Sequence, residues 1–175
     1  GVVSNPGRQA TNSPGRETLL APTADALEKE YQKLVEDDDA SQAEVDKWIQ
    51  DNNEFAAKGV GARPEDLNRR IRERFDPIRK RYEDFIQQHP GHVRARIAYA
   101  SFLGDIHEEE AAQAQLEKAL ELDSQDPAIY NNLANIYGHT GPVKKAFEYY
   151  AKAIELKPLE SVYYHNFGTT VYLFR

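Results

Sequence analysis

The chain has 175 residues, 40% of them hydrophobic and 29% charged, with a net charge of −7 and neither cysteine nor methionine. That length supports one sizeable folded unit and is too short for two, and the lack of cysteine excludes disulfides, thiolate nucleophiles and Cys-ligated zinc or iron–sulfur sites. The acidic balance argues against generic nucleic-acid binding, which draws on Lys and Arg at the phosphates, and no run of about 18 apolar residues exists to cross a bilayer.

Residues 1–23, rich in Gly, Pro, Ser, Thr and Asn and without a sustained period, read as a flexible leader. The start at Gly1 points to a processed or engineered N-terminus, so a soluble chain is expected in the cytoplasm or exported after loss of a signal sequence. Residues 24–63 form a helical N-terminal extension or cap. Leu27, Tyr31, Leu34 and Val35 share one helical face, after which the acidic run "EDDD" is expected to close the helix. Ser41 with Glu44 carries a capping-box signature for a second helix, whose face is Val45, Trp48, Ile49, Phe55 and Ala56 until "KGVGA" breaks it. Residues 64–92 predict one long helix that begins near Pro64 and buries Leu67, Ile71, Phe75, Ile78, Tyr82 and Phe85 or Ile86. Pro77 lies inside it, which predicts a kink or a restart with Asp76 as N-cap.

After residue 92 the chain repeats itself. "VRARIAYASFLGDIHEEEAAQAQLEKALELDSQD" (93–126) aligns without a gap on "PAIYNNLANIYGHTGPVKKAFEYYAKAIELKPLE" (127–160), and both end on nearly the same helix, "KALEL" and "KAIEL". Tyr130, Leu133 with Ala134, Tyr137, Ala146, Tyr150, Ala153 and Pro158 fall where the tetratricopeptide pattern, with its helix–turn–helix period of about 34 residues, has its aromatic, Leu-Gly, Tyr, Ala, aromatic, Ala and Pro. The sequence therefore closely resembles the tetratricopeptide repeat family. The copy at 93–126 keeps Ala100, Leu103, Ala112, Leu116 and Ala119 but has Arg96 and Ser124 in the aromatic and proline slots. One period earlier, Ile78, Tyr82, Phe85 and Pro90 make 64–92 a degenerate half-repeat, and Tyr164, Phe167, Gly168 and Val171 begin a further, incomplete one at 161–175. The resemblance implies an all-α solenoid of helix–turn–helix units with the helical extension in front. Because "YYHNFGTTVYLFR" is no polar cap, the last helix is expected to meet either more chain or a second copy.

No chemistry-bearing motif is complete. "EDDDASQAEVDKW" puts Gln42 and Trp48 where a calcium loop needs Gly and Glu, "HEEEA" lacks the second histidine of a zinc helix, and "GVGARPED" has no lysine for a phosphate loop. The expectation is a non-catalytic chain without metal or cofactor. Arg69, Arg70, Arg72, Arg74, Arg79, Lys80 and Arg81 form a basic run that could meet nucleic acid or an acidic partner, but pairing with the acidic 28–51 segment is the simpler reading, since aromatic interleaving is absent.

In the family the first helices of successive repeats line a concave groove for an extended peptide or partner helix. By that resemblance the groove here is lined by Arg94, Ile97, Ala98 and Ser101, by Asn131, Asn132, Asn135 and His139, and by His165, Asn166 and Thr169. An Asn amide carries both a donor and an acceptor, so it can hold peptide backbone without reading side chains. Asn135 and Asn166 match the asparagines of the family's terminal-carboxylate clamp, but Asn131 stands in place of its first lysine and the later basic residues are missing. The implied function is a protein–protein interaction module or scaffold. Two alternatives are the targeting or regulatory part of a longer enzyme and a nucleic-acid or acidic-partner site at 69–81.

Overall fold

The computed structural model describes residues 23–174, so the expected leader, Thr23 apart, lies outside the described residues. Seven helices and no strand are found among the described residues: α1 (Ala24–Ala56), α2 (Pro64–Gln88), α3 (Val93–Asp105), α4 (Glu109–Leu122), α5 (Pro127–Thr140), α6 (Val143–Leu156) and α7 (Ser161–Leu173). Their starts are locally encoded. Thr23 Oγ1 accepts from Ala26 N–H at the head of α1, His92 Nδ1 from Ala95 N–H at α3, and Asp126 Oδ1 from Ala128 N–H at α5, where Pro127 fits the first turn.

Consecutive helices pair as hairpins, α1 with α2, α3 with α4 and α5 with α6, while the second helix of each hairpin packs on the first helix of the next. The first helices α1, α3, α5 and α7 touch in sequence, which generates one continuous face. Fully buried alanines, among them Ala112, Ala119, Ala134, Ala146 and Ala153, allow the close approach within hairpins. Between hairpins the same junction recurs once per repeat. Tyr82 stacks on Tyr99 with ring centroids 5.2 Å apart, Tyr150 stacks on Phe167 at 5.4 Å, and the corresponding Leu116 and Leu133 are buried in the same core.

The acidic run does not end a helix: α1 passes through it for 33 residues, and α2 likewise runs through Pro77 without a restart at Asp76. Contacts from α2 make the first possible. Tyr82 donates its phenol proton to Asp38 Oδ2 at 2.7 Å, Arg81 pairs with Asp37, and Ser41 Oγ, instead of capping a new helix, donates to Asp38 O at 2.8 Å. Tyr82 and Ser41 are fully buried, so these bonds satisfy polar atoms that water does not reach. The basic run of α2 is drawn to acidic and aromatic neighbours too. Arg74 pairs with Glu44 at 2.7 Å, Arg79 with Glu108, and Arg70 lies 3.7 Å over the Trp48 ring.

Burial raises the Asp38 carboxyl above the ordinary aspartate value, against the opposing pull of the Tyr82 and Gln42 hydrogen bonds. A raised pKa means that the folded state keeps a proton the unfolded state has released, so this group's contribution to stability declines as pH rises through the window just above the ordinary aspartate range. Asp38→Asn should flatten that part of the stability–pH curve. Tyr82→Phe, which strips the buried carboxyl of its strongest partner, should cost about 1–3 kcal/mol in urea unfolding; unchanged stability in both variants would remove this contact from the account of the α1–α2 pair.

Candidate functional site

The continuous face of first helices contains a cleft of about 240 Å³ between α3 and α5, with the head of α4 at its rim. It is lined by Ala100, Ser101, Gly104, Asp105, Glu109, Leu116, Asn132, Asn135, Ile136 and His139. Four of the residues expected in a groove, Ser101, Asn132, Asn135 and His139, are brought together here.

The asparagines do three different things. Asn131 is buried, at 7% exposure, and belongs to the packing between α5 and α7: its Oδ1 accepts from Asn166 Nδ2 at 3.1 Å and its Nδ2 donates to Asn132 Oδ1 at 3.3 Å. Asn166 therefore closes on Asn131. Gly138 permits this approach, because a Cβ there would lie 3.2 Å from Thr170 Cγ2. Asn135 is held from behind as well, its Oδ1 accepting from the Tyr150 phenol at 2.7 Å, while the same phenol oxygen lies 3.1 Å from Thr170 Oγ1. In both cleft asparagines, Asn132 and Asn135, the carbonyl oxygen is engaged by the protein. Each keeps its Nδ2 protons without a partner among the described residues.

The remaining expected residues lie elsewhere. Arg94 is taken by α1: its guanidinium donates to both Glu28 carboxylate oxygens at 3.0 and 3.1 Å, and it lies 4.6 Å over the Tyr31 ring. Ser101, although it lines the cleft, turns its hydroxyl proton back to Ile97 O at 3.3 Å. Thr169 and His165 are exposed on α7, where Thr169 Oγ1 donates to His165 O at 3.0 Å, and neither borders the cleft.

Two charged cleft residues were missed in the sequence. Asp105 stands one full repeat before His139 and so occupies the same slot, a signal the repeat register already carried. Glu109 is the first residue of α4. Burial raises the Asp105 carboxyl above its ordinary value, and the neighbouring Asp46 carboxylate adds to the effect against a smaller opposing pull from His107. The described residues hold no group of three or more His, Cys, Asp or Glu placed to share a metal ion.

With this geometry in place, comparison with known proteins is direct. The tetratricopeptide repeat family matches residues 127–158, the span of α5 and α6 that supplies the asparagine wall. Residues 127–158 therefore match a tetratricopeptide repeat. Its fold is similar to the crystal structure of TTC0263, a thermophilic tetratricopeptide-repeat protein of Thermus thermophilus, at 21% identity and a TM-score of 0.58 over 85% of this chain and 72% of that one. It is also similar to the crystal structure of MamA, at 20% identity and a TM-score of 0.50 over 83% and 75% of the two chains. No curated protein matches. Identities this low carry the fold alone. Tetratricopeptide repeats are in general protein-interaction modules, and no helix among the described residues is long and apolar enough to cross a membrane.

Asn166→Ala would leave Asn131 Oδ1 buried without its donor, at a cost of about 1–3 kcal/mol, whereas the exposed Thr169→Ala should stay within about 0.5 kcal/mol. Urea unfolding followed by circular dichroism compares the two. Equal effects would mean that the Asn166 to Asn131 link does not support the α5–α7 contact.

Proposed function

We propose that this protein is a non-catalytic interaction module or scaffold that holds an extended peptide in the cleft between α3 and α5. The reading rests on one observation above the others: Asn132 and Asn135 line the same opening, each fixed through its carbonyl oxygen and with no partner for its Nδ2 protons among the described residues. Peptide backbone offers a carbonyl at every residue, so paired fixed donors suit it, and donors already anchored lose little entropy on binding. Compared with the two-way amide expected at first, the site is one-sided: it donates. The test is selection of random decapeptides displayed on phage against the full chain. Enriched peptides should bind Asn132→Ala about three- to tenfold more weakly, the worth of one or two neutral hydrogen bonds. Peptides indifferent to that change would place binding elsewhere.

Self-association is a second reading, favoured by α7. Val162, Tyr164, Val171 and Leu173 are each more than two-fifths exposed, and Leu159 just before the helix is 95% exposed, a concentration of apolar surface of the kind that marks contact sites. Sedimentation velocity over a concentration series should show a dimer that Val171→Glu with Leu173→Glu returns to monomer. A wild-type chain that stays monomeric at the highest concentration would rule it out.

A further inference from the structure

The cleft has two chemically different walls. The α5 wall carries Asn132 and Asn135, whose Nδ2 protons have no partner among the described residues. Across from it stand the carboxylates of Asp105, at the end of α3, and Glu109, at the start of α4, and neither forms an ion pair among the described residues. His139 shares the cleft with them, and Asp105 also borders a second cavity with Arg72, Arg79 and His107, of which Arg79 is committed to Glu108. The lining of the cleft also includes the half-buried Ile136 and the buried Leu116.

From this arrangement we infer that the occupant is an extended peptide carrying a lysine or arginine, with backbone carbonyls on Asn132 and Asn135 and the cationic head at Asp105 and Glu109. The inference rests on the peptide-cleft reading above and adds the chemistry of the partner. Long cationic side chains combine an apolar stem with a charged tip, matching an apolar floor that ends at carboxylates. Charge complementarity of this kind selects partners more than it adds raw affinity. An acidic peptide would meet two like charges, and a nucleic-acid strand would bring phosphates to the same carboxylates.

The decapeptides selected on the full chain decide the matter, and two comparisons separate this inference from the one beneath it. The expected result is that enriched sequences carry Lys or Arg, that replacing that residue by Met weakens binding roughly tenfold, and that the D105N/E109Q chain shows a similar loss with little further effect of the Met peptide. The wild-type preference should also shrink as salt is raised, since the pairs are accessible to ions. Enriched peptides that are neutral, acidic or apolar and helical, yet are lost on Asn132→Ala, would overturn the basic-residue inference and leave the cleft reading in place. Absence of any peptide sensitive to Asn132→Ala would overturn both. Circular dichroism of each variant confirms that the comparison is between folded proteins.

Discussion

Everything in this protein depends on a large side chain inserted from the second helix of one hairpin against the first helix of the next. Tyr82 on Tyr99 and Tyr150 on Phe167 are the same junction two repeats apart, Leu116 and Leu133 occupy the corresponding positions between them in the same core, and Tyr82, Leu116 and Tyr150 are at most 1% exposed. A single hairpin cannot bury its apolar face alone, so these junctions convert separate units into one core. The alanines around them set the helix separation, and the separation fixes where the first helices stand. The cleft is a by-product of that spacing.

The junction also reaches into the cleft chemically. Where the inserted residue is tyrosine, its phenol crosses to the polar side chain on its own hairpin's first helix: Tyr150 to Asn135 and Tyr82 to Asp38. Core packing at Tyr150 thereby orients a cleft residue. The chain of amides from Asn166 through Asn131 to Asn132 does the same for the other donor, and amides bonded in series polarise one another in the low-dielectric space between α5 and α7. A site held this way is rigid before anything binds.

Charge is distributed with the same economy. The acidic stretch of α1 is met by α2: Asp37 by Arg81, Glu44 by Arg74, and Asp38 by the Tyr82 phenol. Glu28 is met by Arg94, and Glu108 by Arg79. Such pairs on a solvated surface contribute little stability each, but they consume the basic residues that a run such as 69–81 advertises. What is left unpaired near the cleft is therefore negative, at Asp105 and Glu109.

The sequence alone determined the repeat, its register and the all-α architecture, because a regular period of apolar and small residues is a local pattern that needs no knowledge of what lies opposite. It also grouped Ser101, Asn132, Asn135 and His139, which the structure brings to one cleft, since register and helical period together fix direction. Tertiary structure decided the rest. Whether "EDDD" ended a helix depended on Tyr82 and Arg81, 44 residues away, and whether Asn131 faced solvent or α7 depended on how closely Gly138 let α7 approach. Which half of each amide stayed without a partner among the described residues was set by Tyr150 and Asn131 on the inner side. Those are contacts between elements distant along the chain, and a periodicity within one element carries no record of them.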